Sequence, residues 1–231
     1  MDRSAGMLKL SRQLDEEFRV LRYDRRGYGR SFPHPGPFVM GAQVEDLVGL
    51  LAGRRALLVG HSYGGNVALA TAEQHPDLVA GVAVYETPLS WEPWWPGTTA
   101  GAIAIGDSTT TEHAAELFMR RILGDRRWEA LPERSRQSRR AEGAAMVGEL
   151  ADLRRNRPWT AADIKVPVVV AFGSRGAEHH RRGMTHAAAL LDCPLVELAD
   201  CGHDAPLSDP LLFRTSVIDP LLRMVGAPWS S

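Results

Sequence analysis

A doubly wound, mostly parallel α/β sheet interrupted by a helical insertion is predicted by three observations. Apolar runs of strand length alternate with segments of helical periodicity, the pattern of a parallel sheet covered on both faces. One of those runs ends in a glycine-rich turn, Gly60-His61-Ser62-Tyr63-Gly64-Gly65, that leads directly into a helix. From about residue 88 to 160 the alternation stops and the chain becomes rich in Ala, Arg and Glu before strands resume.

The elements follow in order. Met7, Leu10 and Leu14 share one face of a short helix, and residues 18–23 read as a strand. The turn Asp24-Arg25-Arg26-Gly27-Tyr28-Gly29-Arg30-Ser31 comes next, then a Pro/Gly loop through Pro37. Val44, Leu47, Val48 and Leu51 have the i, i+3, i+4, i+7 spacing of an amphipathic helix, which Gly53 ends. Residues 56–59 form a short apolar strand, 66–74 a helix stopped by His75-Pro76, and 79–85 a buried strand that ends at Glu86. Beyond the insertion, strands are expected at 166–172 and 195–198. The last helix, over 211–224, should kink or split at Pro220. The predicted domains are a core of residues 1–87 and 161–231 and a helical segment of 88–160.

Composition narrows the function. The chain has 231 residues, enough for one domain with a sizeable core, and a formal net charge of -1, which favours neither nucleic acid nor an acidic membrane as partner. No apolar stretch is long enough to span a bilayer, and the first ten residues lack the apolar block of a signal peptide. The expectation is a cytoplasmic protein acting on a small molecule. Cys193 and Cys201 flank a strand, whose length exceeds the ~7 Å Cα limit of a disulfide, so both should be free.

The chemistry centres on Ser62. Its G-x-S-x-G turn, between an apolar strand and a helix, is a nucleophile elbow. The glycines answer to a strained turn whose inner neighbours must be small. That turn lifts the hydroxyl into the open and sets the Tyr63 N–H and the helix N-terminus beside a developing oxyanion. A serine is a poor nucleophile without a base. His203, in Asp200-Cys201-Gly202-His203-Asp204 after the last strand, follows the serine in the required order.

These residues bring a family into view. The chain resembles the α/β-hydrolase superfamily over nearly its whole length, through residues 23–31, Gly60-His61-Ser62-Tyr63-Gly64-Gly65 and Cys201-Gly202-His203. The resemblance implies esterase-like hydrolysis through an acyl-enzyme, with no metal or organic cofactor, and identifies residues 88–160 with the helical cap of these enzymes. It also implies that N-terminal strands of the fold, a central one among them, are missing. In the family the first helix follows a strand ending in a His-Gly loop that supplies a second oxyanion N–H; here Met1-Asp2-Arg3-Ser4 stands where that loop should finish. Residues 18–23 would then pair directly with 56–59, or leave backbone groups unpaired.

The acid of the triad departs from the common pattern. The loop after residue 172, Gly173-Ser174-Arg175-Gly176-Ala177-Glu178, has no Asp. The alternatives are Glu178 and Glu86, and Glu86 is favoured. A carboxylate ending a buried strand needs a partner, and a histidine that becomes cationic in the transition state is one. A salt bridge to an arginine of the insertion is the plainer reading of Glu86, and a solvated loop charge that of Glu178.

Other features carry less. His179, His180 and His186 have no further ligand at metal spacing and read as a solvated helix. Arg134, Arg136, Arg139 and Arg140 alternate with Glu133 and Glu142 and read as an exposed face. Trp91 and Trp94, with Trp95, either line an apolar substrate pocket or anchor the insertion. Ser62 argues against chemistries that need an aspartate nucleophile. Perhydrolysis, lactone opening, carbon–carbon cleavage and a catalytically weak ligand-binding protein remain as alternatives.

Overall fold

The computed structural model describes residues 3–226. Within them the chain divides into two compact units. One, here the sheet unit, comprises residues 4–23, 44–89 and 158–226; the other, the helical unit, comprises 3, 24–43 and 90–157.

The sheet unit is built on four parallel strands in sequence order: β1 (Ala56–His61), β2 (Val79–Tyr85), β3 (Val168–Gly173) and β4 (Leu195–Leu198). All seven residues of β2 are buried, as expected of a central parallel strand that reads as one apolar run. Odd-numbered residues of β2 and β3, Ala83, Tyr85, Val169 and Ala171, form one core cluster with Leu10, Phe213, Val217 and Leu221. Val82, Val84, Val168 and Val170 alternate onto the other face and are equally buried. Helices α3 (Tyr63–Gln74) and α9 (Glu178–Leu191) pack on the sheet as well.

The register sets up the site. His61 lies opposite Tyr85, Tyr85 opposite Ala171, and Gly173 opposite Leu198. The strands therefore end nearly level. The turns after β1, β2, β3 and β4 open along one carboxyl edge, where ligands of parallel sheets are bound.

Met7, Leu10 and Leu14 do pack together against the core, from a 3₁₀ turn (Ser4–Met7), the short helix α1 (Leu8–Ser11) and the turn after it. The strand expected over residues 18–23 does not form. The segment is irregular, Leu21 is 53% exposed, and its pairing with residues 56–59 is absent. Apolar character alone does not make a strand; a ladder partner is required, and this stretch has none. Residues 3–6 add no strand either, while Met1 and Asp2 lie outside the described residues.

The last helix does not split at its proline but runs on continuously through a π turn just before it. Helix α11 (Pro210–Phe213) runs into a π turn (Arg214–Ile218) and then α12 (Asp219–Val225), with Pro220 near the start of the final segment. Pro220 has no N–H to give to the carbonyl one turn back, so the ladder widens there. Cys193 and Cys201 are free thiols. No described helix is long and apolar enough to cross a membrane.

The helical unit contains α4 (Ala100–Gly106), α5 (Thr111–Leu123), α6 (Asp125–Glu129), α7 (Glu133–Ala141) and α8 (Gly143–Arg155). Thr99 and Thr110 cap α4 and α5 by accepting from Ala102 N and His113 N. Ala104, Ala114, Ala115 and Ala145 let the helices approach closely around the buried Tyr28 and Met146. Three carboxylates, Glu142, Glu149 and Asp152, are buried here. Glu149 takes a two-pronged contact from Arg25, 3.0 Å on each oxygen, with Tyr28 Oη at 2.7 Å and Gln43 Nε2 at 3.0 Å. Glu142 accepts from Arg3 Nε at 2.8 Å and Gly29 N at 2.9 Å. Two arginines of α7 are tied down: Arg140 bonds Glu116 at 2.6 Å and Glu133 at 3.0 Å, and Arg136 pairs with Glu129.

Candidate active site

Ser62 occupies the single residue between β1 and α3. Its backbone is at φ 53°, ψ -128°, a region that costs a non-glycine residue roughly 1–3 kcal/mol and persists only where the surroundings enforce it. The enforcement is visible on both sides. A Cβ on Gly60 would stand 2.4 Å from Gly65 Cα, and one on Gly65 would stand 1.9 Å from Thr87 Oγ1. Ser62 N donates to Tyr85 O at 2.9 Å, and Gly65 N donates to Ser62 O at 2.9 Å. Tyr63 opens α3, so its backbone N–H belongs to the turn whose donors point away from the helix body.

Glu86 follows β2 directly and is fully buried. It too has a positive φ, 45°, which turns its side chain under the neighbouring strand ends. Oε1 accepts from Gly173 N at 3.0 Å. Oε2 lies 2.7 Å from His203 Nδ1 and 2.9 Å from His180 Nδ1. The seat exists because residue 176 is glycine; a Cβ there would stand 2.2 Å from Oε1. Burial alone would raise the pKa of this carboxyl. Hydrogen bonds and charge from His180 and His203 outweigh burial and hold Glu86 well below the usual carboxylate range. An ionised carboxylate only accepts, so His203 carries its proton on Nδ1 and keeps a lone pair on Nε2.

The loop carrying His203 is fixed from three sides. Tyr85 Oη donates to Gly202 O at 2.6 Å, and Arg175 N donates to Cys201 O at 2.8 Å. His61 Nε2, next to Ser62, donates to His203 O at 2.7 Å, so the serine turn and the histidine loop are joined directly. The imidazole of His203 has His61 at 4.5 Å and His180 at 4.8 Å between ring centroids, the latter stacked at 19°. Burial, then the charge of His61 and His180, outweighs Glu86 and pushes His203 down to about 4.

Ser62, Tyr63, Glu86 and His203 thus come together along the carboxyl edge of the sheet unit. Glu178 does not join them. It sits exposed in the first turn of α9, paired with Arg181 at 2.6 Å, where an acid is favourable at a helix N-terminus. Trp91 and Trp94 belong to the helical unit, both half-buried, with Trp94 5.9 Å from Trp95. His180 is the residue that sequence reasoning missed. It is not a solvated helix position, since its side chain is only 15% exposed and its Nδ1 faces Glu86. The signal was faint: a histidine pair in the first turn of the helix that follows a loop with glycine at 176. Glu86, His180 and His203 together offer three ligand atoms within 4.8 Å of one another, a donor set of two imidazoles and a carboxylate that suits a divalent transition metal. The 2.7 Å contact of His203 with Oε2 is a hydrogen bond, and His180 Nδ1 approaches the same oxygen at 2.9 Å.

Known proteins share this architecture. A Caulobacter segnis protein provisionally named carbamate hydrolase RutD is 38% identical over 76 residues, 31% of this chain and 28% of that protein. Epoxide hydrolase B of Mycobacterium tuberculosis is 37% identical over 78 residues, 32% of this chain and 22% of the relative. The matched stretches span less than a third of the length of these curated relatives. A thermophilic esterase from Thermogutta terrifontis superposes with a TM-score of 0.73 at 22% identity, covering 97% of this chain and 87% of the esterase, a likeness of fold. The family described as "Alpha/beta hydrolase family" matches residues 4–214. With that match running from the first turn to the last helices, over a parallel sheet whose first strand ends in a strained serine turn, the chain belongs to the alpha/beta hydrolase family.

Proposed function

We propose that this chain is a serine hydrolase that cleaves an ester or related acyl bond of a small uncharged substrate through an acyl-enzyme. The observation that carries the reading is the 2.7 Å contact of a buried, ionised Glu86 with His203 Nδ1, on a loop joined to the strained turn of Ser62. Ser62 Oγ attacks the acyl carbon while His203 Nε2 takes its proton. The carbonyl electrons move onto oxygen, where the Tyr63 N–H donates to the oxyanion. Collapse expels the alcohol, which leaves with the proton from His203. Water then repeats the sequence on the acyl-enzyme and releases the acid. Glu86 holds the Nδ1–H tautomer and offsets the imidazolium in both halves. The cycle draws on no metal or organic cofactor. In this reading residues 88–160 act as a cap on a core of 1–87 and 161–231, with Trp91 and Trp94 contacting the apolar part of the substrate. The enzyme works in the cytoplasm, on neither nucleic acid nor membrane.

The carbamate relative favours a second bond type for the same residues, an acyl carbon joined to nitrogen. The epoxide relative is less apt, because epoxide opening needs an aspartate where this chain has Ser62. A fluorophosphonate probe tests the core of the proposal. It should label the protein at Ser62, and Ser62→Ala should lose both labelling and ester turnover while keeping its circular dichroism spectrum. Equal turnover in the variant would sink the assignment; a wild-type chain that takes no label and turns over no ester, carbamate or lactone would favour a ligand-binding protein.

A further inference from the structure

Glu86 fixes the direction of the His203 ring through Nδ1, but it does not hold the loop that carries the ring. We propose that His61 and Tyr85 are positioning residues that act as one clamp on the loop of His203 and so set its imidazole against Ser62. This rests on the serine-hydrolase reading and names what keeps the base of that site in place.

His61 and Tyr85 are the last residues of β1 and β2, and they lie opposite each other in the register. Their side chains therefore leave the sheet on one face, with 6.0 Å between ring centroids. Each directly precedes a residue of the site, Ser62 in one case and Glu86 in the other. Both reach the same loop. His61 Nε2 donates to His203 O at 2.7 Å, and Tyr85 Oη donates to Gly202 O at 2.6 Å. A carbonyl only accepts, so His61 carries a proton on Nε2. Two consecutive carbonyls of the loop are thus gripped by the ends of two neighbouring strands. Ser62 N donates to Tyr85 O at 2.9 Å, which ties those strand ends to each other at the serine turn itself. The carbonyl before them, Cys201 O, accepts from Arg175 N at 2.8 Å, but that donor is backbone and is independent of the side chain at 175. The sequence-specific part of the grip is His61 and Tyr85. A clamp of this kind acts through distance, because a base must come within hydrogen-bond reach of the hydroxyl it deprotonates.

Two variants at residue 61 distinguish a clamp from packing. In His61→Gln the amide reaches as far as Nε2 and can donate; in His61→Phe a ring remains and the donor is gone. Ester turnover by His61→Phe should fall by about 10² in kcat with KM unmoved, the cost of a base displaced by about 1 Å. His61→Gln should recover most of that loss. An unchanged kcat in His61→Phe overturns the proposal, as does the reverse order, with phenylalanine the more active, which is the mark of packing. Tyr85→Phe removes the hydroxyl alone and should lower kcat by about tenfold, again at constant KM. The double variant, His61→Phe with Tyr85→Phe, should fall little below the worse single one, since a clamp open on one side is already open. Losses that multiply would mean two unrelated bonds and no clamp. The rate of Ser62 labelling by a fluorophosphonate should follow kcat through the series. The wild-type ¹⁵N spectrum gives a check that needs no variant: His61 should carry its proton on Nε2, and an Nδ1–H tautomer overturns the grip on His203 O. A wild-type chain that takes no fluorophosphonate would defeat the serine-hydrolase reading. The His61 tautomer, and amide exchange over residues 202–205, expected to quicken in His61→Phe and Tyr85→Phe, would still decide the clamp.

Discussion

Each unit buries glutamates, and they are satisfied in opposite ways. In the helical unit Glu149 meets Arg25, Tyr28 and Gln43, and Glu142 meets Arg3 and a backbone N–H. In the sheet unit Glu86 meets two histidines and a backbone N–H. An arginine never gives up its charge, so the pair with Glu149 is permanent and can only hold the fold. A histidine can gain and lose a proton, so the charge beside Glu86 is not fixed. Burial of a carboxylate by itself says nothing of function; the titration of its partners does.

Changes at each glutamate should therefore fail differently. Glu86→Gln should cut turnover by about 10⁴, because the amide favours the wrong tautomer of His203, with a far smaller effect on stability. A Glu86→Gln protein that keeps a tenth of wild-type kcat would remove the distinction. Glu149→Gln leaves the Arg25 guanidinium, 12% exposed, without its counter-charge. It should lower unfolding free energy by about 3–5 kcal/mol in urea titration, with chemistry per folded molecule spared. Gly176→Ala is a finer probe. The new Cβ pushes on Glu86 Oε1 without altering any charge, and a displacement of about 1 Å should cost about 10² in kcat.

The smallest effect is one of pH. His203, pushed down to about 4, is neutral above that value and available as a base. The acid limb of kcat/KM should fall near pH 4 and not near 6.5. The sign for stability follows from the same residue. Between pH 6.5 and 4 the unfolded chain takes a proton that native His203 refuses, so stability declines as pH drops through that window. His179, also near 4 through burial and then the charge of His180, adds in the same direction. An acid limb that remained near 6.5 would show that burial and the neighbouring imidazoles do not hold this histidine neutral against Glu86.

How much of this was legible in the sequence depended on whether the information was local. The elbow was, because strand, serine and glycines are contiguous. Glu86 stood out because an acid ending an all-apolar strand must have a reason. The π turn just before Pro220 follows from one missing N–H. The supposed strand at 18–23 failed because pairing is a property of neighbours, and the sheet offers it none. His180 was hidden for a related reason. Nothing in its own surroundings in sequence distinguishes it from His179 or His186; only the closeness of the turns after β2, β3 and β4 gives it a partner.

The position of the helical unit within the chain has a consequence for the order of assembly. β1, α3 and β2 are consecutive and can associate through contacts close in sequence, whereas β2 and β3 meet only after the whole segment between them has been looped out. The entropy of closing that loop rises only as the logarithm of its length, so the insertion is thermodynamically mild, but contacts across it should form late in folding. Glu86 receives its N–H from Gly173 and its imidazoles from α9 and from the loop after β4, all on the far side of that closure. A chain halted before this step would display the serine turn with no base beside it.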